Sequence, residues 1–174
     1  FTNTISGGVV PKQYIPAVEH GVKDFLVRGP LGFPVVDVSV ELTDGQFHAV
    51  DSSDQAFKTA GSLAMREGMP KCSPVLLEPI VDIEVSVPNQ YLGDITGDLS
   101  GKRGRIQGTD MLAGDVSAIK ALVPLAEVGN YQNQLKSVTG GQGSFTMELS
   151  HYEPVPSNVQ QQIAAAYKPK AEED

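Results

Sequence analysis

The chain has 174 residues, which is enough for one domain or for two small ones. Its hydrophobic content of 40% and charged content of 20% are ordinary for a globular protein. The net charge of −8 argues against nucleic-acid binding through bulk charge, so any contact with RNA has to come from a local patch. The single cysteine, Cys72, excludes an internal disulfide framework and suits a reducing cytoplasm. No apolar run is long enough for a transmembrane helix, so no membrane contact is expected.

The first half of the chain is predicted to alternate strands and helices. A short strand covers residues 1–5, and two glycines follow it. Apolar residues at helical spacing then predict a helix that begins within 11–14 and stops before Gly29. Alternating apolar residues predict a strand over 36–42, and Asp44-Gly45 after it predicts a turn.

A second helix is predicted to begin at a capping box, in which Ser52 and Gln55 satisfy free amides of the first turn. Gly68 and Pro70 mark its end. The residues predicted to form its buried stripe are Ala56, Phe57, Ala60, Leu63 and Ala64.

The stretch from Pro74 to Pro88 is the longest strand-like run of the chain. After Pro79 its apolar and polar residues alternate strictly, which predicts a strand with one buried face. Because Pro79 cannot donate a ladder hydrogen bond, we predict two short strands that meet there, and a domain boundary at the same point.

The second half is predicted to follow the order β-α-β-β-α-β of a ferredoxin-like domain. Its helix after Pro88 carries Gly93 and Gly97 four residues apart, which predicts that another element packs close to that backbone. The predicted elements are strands over 80–87, 105–111, 116–123 and 145–152, and helices over 88–101 and 125–138.

The C-terminal segment is predicted to contain one more helix and a disordered tail. Ser157 and Gln160 form a second capping box, from which a helix runs to about Tyr167. Residues 168–174 are charged and poor in apolar side chains, so we predict that they are disordered.

No pattern in the sequence predicts catalysis or a metal site. There is no phosphate loop, and the three histidines show no metal-ligand spacing among themselves or to Cys72. His48 differs from the others because it lies in a loop between two turn signals, where contact residues concentrate. Lys102, Arg103 and Arg105 form either a phosphate-binding patch or a set of cations that stabilise a helix C-terminus, and composition alone favours the second interpretation.

Six collinear motifs carry a family resemblance that covers nearly the whole chain. They closely resemble the C-terminal part of bacterial translation elongation factor G, the family of ribosomal translocase GTPases. The motifs are GGVVPKQYIPAVEHG (7–21), GFPVVDV (32–38), HAVDSSDQAFK (48–58), PVLLEPI (74–80), YLGDITGDLSGKRG (91–104) and FTMELSHY (145–152).

The resemblance implies an α+β fold of two small α/β sandwich domains. Residues 1–79 would be the family's domain IV without its N-terminal strands, with a left-handed βαβ crossover that departs from the usual right-handed rule. Residues 80–155 would be the ferredoxin-like domain V, and residues 156–174 the C-terminal helix and tail. Since the family's domain IV begins earlier than Phe1, the chain is expected to be part of a larger protein.

The resemblance also implies which residues contact RNA. Domain IV of the family reaches the decoding region and contacts tRNA and mRNA through its tip, and domain V approaches ribosomal RNA and ribosomal proteins of the large subunit. Lys102, Arg103 and Arg105 match a basic stretch of domain V, so the phosphate interpretation is now favoured for them. The implied tip residues are Gly32, Phe33, Pro34, His48, Val50, Asp51, Ser52 and Ser53.

Further implications concern the parent protein. GTP and Mg²⁺ would bind to a part of it outside this chain, so no cofactor and no enzymatic activity are expected here. The parent would be a cytoplasmic, monomeric GTPase. The run Gly140-Gly141-Gln142-Gly143 lacks an arginine that the family usually has there, which leaves a paralogue of the elongation factor open. The alternative from another class is a stand-alone ferredoxin-like regulatory or binding module.

Overall fold

A computed structural model of the chain describes residues 1–167, which form parts of two compact units. Unit 1 comprises Phe1–Val75 and the chain from Ser157 onward, and unit 2 comprises Leu76–Pro156. The predicted disordered tail, 168–174, lies outside the described residues. No helix in the described part of the chain is both long and apolar enough to cross a membrane.

Six strands and five α-helices make up the regular structure of residues 1–167. In chain order they are β1 (Thr2–Asn3), α1 (Ile15–Val27), β2 (Glu41–Leu42), α2 (Asp54–Gly68), β3 (Leu77–Pro88), α3 (Leu92–Gly101), β4 (Arg105–Leu112), β5 (Val116–Pro124), α4 (Tyr131–Thr139), β6 (Ser144–Pro154) and α5 (Ser157–Ala166). Short 3₁₀ turns lie at Lys12–Tyr14, Met69–Cys72, Asn89–Tyr91 and Leu125–Glu127.

Unit 1 contains a small parallel sheet whose two strands are joined through α1. Thr2 pairs with Glu41 and Asn3 with Leu42, which is the βαβ connection that the family resemblance implies. The strand predicted over 36–42 is shorter than expected, because β1 offers only two residues for pairing. Val36 lies before the paired segment and is 61% exposed.

The helices α1 and α2 pack against each other at glycines. A Cβ atom on Gly21 would clash with the backbone carbonyl of Lys58, and one on Gly61 would lie 2.7 Å from the carbonyl oxygen of Val18. The buried residues of α2 are therefore Phe57, Gly61 and Met65. Of the predicted stripe only Phe57 is buried; the other four residues are not, because α2 turns its glycine face to α1: Ala56, Ala60, Leu63 and Ala64.

Unit 2 is an antiparallel sheet with the strand order β4-β5-β3-β6 and the element order β-α-β-β-α-β, which confirms the ferredoxin-like prediction. Ile95 and Leu99 of α3 and Tyr131 and Leu135 of α4 pack on the sheet. The sheet contributes the alternating apolar residues of its two inner strands: Val81, Ile83, Val85, Val87, Ile119, Ala121 and Val123.

The strand β3 continues through Pro79, so the predicted break at that residue is wrong. Pro79 pairs with Tyr152 of β6, whereas pairing with β5 begins only at Ile80. Pro79 therefore has one neighbouring strand, and its missing N–H leaves the ladder with β5 intact. The irregularity lies one residue later, as a register shift between Ile80 and Val81. The units divide between Val75 and Leu76.

Two expectations for the helices of unit 2 also need correction. A Cβ on Gly93 or Gly97 would meet no atom of the described residues within 4 Å, so no described element packs closely on that side of α3. The helix predicted over 125–138 is divided into a 3₁₀ turn at Leu125–Glu127 and α4, which begins at Tyr131. The residue pair between them, Gly129-Asn130, disfavours a helix interior.

Candidate nucleic-acid interface

The loop that follows β2 carries His48 and is closed by hydrogen bonds to Ser52. The His48 backbone N–H donates to Ser52 Oγ at 2.9 Å, and the Ser52 N–H donates to the His48 carbonyl at 3.1 Å. Ser52 therefore braces this loop, and the capping box predicted for it is wrong by one residue. The N-cap of α2 is Ser53, whose Oγ accepts a hydrogen bond from the Ala56 N–H at 3.1 Å.

The same loop presents its side chains to solvent. His48 and Asp51 are exposed, and Val50 is 92% exposed. An imidazole can donate and accept hydrogen bonds, and a bare valine can pack on a base or a ribose. The chemistry that this loop offers is thus contact and recognition.

An aromatic stack anchors the base of the loop. The ring of Phe47 stacks on Tyr14 with centroids 6.0 Å apart, and Tyr14 stacks on Phe57 with centroids 4.8 Å apart. Phe57 is buried in α2, and Tyr14 lies directly before α1. His48 is consequently adjacent to a residue that is held through this stack to the core of unit 1.

The two segments predicted to form one tip do not lie together. Because β1 and β2 are parallel, their carboxyl ends share one edge of the sheet, and the His48 loop leaves from that edge. Gly32, Phe33 and Pro34 precede β2 and follow α1, which is about 20 Å long. They therefore lie at the edge of the sheet opposite the His48 loop. Contact of these three residues with RNA stays a prediction.

A tight turn shapes that second segment. The Gly32 N–H donates to the Gly29 carbonyl at 3.0 Å, and the Gly29 N–H donates to the Phe33 carbonyl at 2.9 Å. Gly32 has a φ of +86°, which favours glycine, and the ring of Tyr167 occupies the space where a Cβ would lie. Phe33 is partly exposed next to this turn.

In unit 2, each of the three predicted rRNA-contacting cations is paired with a carboxylate. Lys102 Nζ lies 2.6 Å from Asp98. Arg103 makes two hydrogen bonds to Glu78, at 2.6 and 3.0 Å, and a third to Glu127 at 3.0 Å.

Arg105 holds Glu153 with two hydrogen bonds, of 2.6 and 3.1 Å. Its side chain is 53% exposed, more than those of the other two cations. An RNA phosphate would have to compete with these carboxylates, so the interaction of the three cations with RNA stays a prediction.

These pairs shift pKa values in the directions expected for ion pairs. Hydrogen bonds from Arg103 to Glu78 and Glu127 raise the pKa of Arg103. Hydrogen bonds from Arg105 and then from His151 lower the pKa of Glu153 to about 2. The side chains of Arg103, Arg105, Glu78 and Glu153 line a groove of about 210 Å³.

No sequence pattern predicts the chain of contacts around His151. Ser150 Oγ lies 2.9 Å from His151 Nδ1, and His151 Nε2 lies 2.7 Å from Glu153. Since Arg105 is on β4 and Glu153 is on β6, this network joins the two outer strands of the sheet. Partners 48 positions apart in sequence produce no local pattern. Within residues 1–167, no group of three or more His, Cys, Asp or Glu could hold a metal ion.

Comparisons with known proteins agree with this architecture. The family model of elongation factor G, domain IV, matches residues 1–73, and that of the elongation factor G C-terminus matches residues 75–163. The structure is similar to the crystal structure of ttk003000868 from Thermus thermophilus, with 44% sequence identity and a TM-score of 0.80. The match covers 94% of this chain and 25% of that one, so this chain spans a quarter of that protein's length.

Proposed function

This chain belongs to the elongation factor G family, and from that premise we propose that it is the C-terminal arm of a ribosomal translocase GTPase. Unit 1 contacts tRNA and mRNA in the decoding region, and unit 2 contacts rRNA and ribosomal proteins of the large subunit. The observation that carries this proposal is the exposed His48 loop, which Ser52 closes and the Phe47–Tyr14–Phe57 stack anchors.

In this mechanism the arm acts by contact and steric exclusion. GTP and Mg²⁺ bind elsewhere in a monomeric, cytoplasmic parent protein, and hydrolysis there biases its conformation. A residue that contacts RNA can pass this conformational change on to the RNA only if its own backbone is rigid. The two hydrogen bonds between His48 and Ser52, and the stack beneath them, supply this stiffness.

The test is the substitution His48→Ala in the full-length parent protein. Loss of one hydrogen bond to a base or ribose, worth about 1 kcal/mol, is expected to slow translocation about fivefold. Ribosome-stimulated GTP hydrolysis is expected to stay nearly unchanged, since His48 has no part in it. Translocation is followed by rapid-kinetic fluorescence of labelled mRNA, and hydrolysis by phosphate release.

His20→Ala is the matched control, because His20 is also an exposed histidine of unit 1 but lies on α1. It is expected to change neither rate. An equal loss of translocation and GTP hydrolysis in His48→Ala would contradict the proposed role, as would normal translocation in that variant.

A further inference from the structure

The loop that follows β1 reaches the same edge of unit 1 as the His48 loop. β1 and β2 are parallel, so residues after Asn3 and residues after Leu42 leave the sheet in the same direction. Two contacts join these loops. Tyr14 stacks on Phe47, and Val10 is buried beside Gly45, where a Cβ would clash with the Val10 side chain. Together the two loops form one continuous surface.

This surface carries an available cation. Lys12 is exposed, two residues before Tyr14, and it forms no ion pair within the described part of the chain. Lys23 and Lys58, which also belong to unit 1, are paired with Glu19 and Asp24 at 2.6 and 2.8 Å. An unpaired ammonium group can bind an anion without first losing a carboxylate partner.

Two exposed glycines precede Lys12 in the same loop. Gly7 and Gly8 are exposed and have φ angles of +67° and +71°. A Cβ on either would meet no atom of residues 1–167 within 4 Å, so the positive φ angles, and not close packing, favour glycine here. A ligand can therefore approach this main chain closely.

We propose that Lys12 binds a phosphate of the RNA backbone, and that the loops after β1 and β2 act as one RNA-binding surface. His48 contacts a base or ribose, while Lys12 holds a neighbouring phosphate and sets the position of the surface along the RNA. This inference rests on the proposed function, because it takes the RNA to be the one that the His48 loop meets.

The experiment measures binding of the full-length parent protein to ribosomes that carry mRNA and tRNA, as a function of salt concentration. Lys12→Gln is expected to weaken binding about threefold to tenfold and to reduce the slope of log K against log salt by about one. Lys12→Arg keeps the charge and is expected to retain the slope. Circular dichroism confirms that the variants are folded.

Lys71→Gln is the matched control, because Lys71 is another exposed lysine of unit 1 without an ion pair in the described residues, but it follows α2 at the opposite end. It is expected to leave the slope unchanged. An unchanged slope and affinity in Lys12→Gln, or an equal change in Lys71→Gln, would overturn the inference. Slow translocation in His48→Ala together with a normal slope in Lys12→Gln would refute the inference and leave the proposed function standing.

Discussion

Glu153 shows how single residues of unit 2 depend on partners far away in sequence. Arg105 donates two hydrogen bonds to the Glu153 carboxylate, and His151 contacts the same carboxylate. These interactions lower the pKa of Glu153 to about 2. An unperturbed glutamate has a pKa of about 4.3. Folding therefore favours the ionised form of Glu153, and the stability of the fold is linked to its protonation.

We expect Glu153→Gln to change how stability depends on acid pH. The contribution of a carboxyl with a lowered folded-state pKa is fully present above the unfolded value of about 4.3 and is lost as pH falls through about 2. The variant is thus less stable than the native chain at neutral pH, and the difference between them disappears below about pH 2. Urea midpoints measured across this range give the comparison.

Glu148→Gln provides the control for that series, because Glu148 lies on the same strand and forms no ion pair in the described part of the chain. At neutral pH it is expected to lower stability less than Glu153→Gln does, because it breaks no ion pair of the described residues. Parallel curves for Glu153→Gln and the native chain would mean that the Arg105–Glu153 pair contributes nothing to stability.

The role of a residue could be predicted from the sequence where that role depends on its immediate neighbours in the chain. The exposed position of His48 follows from the turn signals on either side of it. The N-cap was misassigned by one position because Ser52 and Ser53 are adjacent, and only the structure shows that Ser52 bonds back to His48. The partners of Arg103 and Arg105 could not be predicted, since they lie 24 to 48 residues away.

Elements were predicted best where periodicity and pairing agree. The strands of unit 2 differ from their predicted ends by at most three residues, because each alternating run has a partner of similar length. In unit 1 the alternation over 36–42 has only β1 to pair with, so β2 shrinks to Glu41–Leu42. An alternating pattern indicates which face a strand would bury, but it does not show whether a partner strand is present to pair with it.

Replacing a helical glycine by alanine is expected to change stability in opposite directions in the two units. Gly21→Ala places a Cβ against the Lys58 carbonyl, which cannot move without shifting α2. We expect the free energy of unfolding to fall by about 1–3 kcal/mol. The new Cβ in Gly97→Ala meets no atom of the described chain within 4 Å, and the change removes the entropic cost of glycine, so it is expected to stabilise α3 by about 0.5–1 kcal/mol.

Chemical denaturation of the 174-residue chain measures both effects, and each variant serves as the control for the other because the side-chain change is identical. If Gly97→Ala destabilised the chain, the result would support the expectation from sequence that another element packs close to α3. A neutral Gly21→Ala would show that the two helices separate at little cost, and the crossing would then not determine the stability of unit 1.

At the scale of the whole molecule, the two units differ in how the chain builds them. Unit 2 is one continuous segment with its own buried cluster on a four-stranded sheet. Unit 1 includes a second segment, since α5 returns to it after β6. Among the contacts that attach this segment in the described residues, the Gln160 side chain donates to the Pro74 carbonyl at 3.1 Å, and the ring of Tyr167 covers Gly32.

Fragments of the chain should therefore behave differently. The segment 76–156, about 80 residues long, is expected to fold alone and to unfold cooperatively in urea, because a domain of this size can bury a sufficient core. The segment 1–75 is expected to be less stable than unit 1 in the intact chain, since it leaves Gly32 without Tyr167 and the Pro74 carbonyl without Gln160. Circular dichroism and urea titration of both fragments measure this. If adding a peptide of residues 157–167 does not stabilise the 1–75 segment, α5 does not complete unit 1. Its return from unit 2 would then be a matter of chain connection alone.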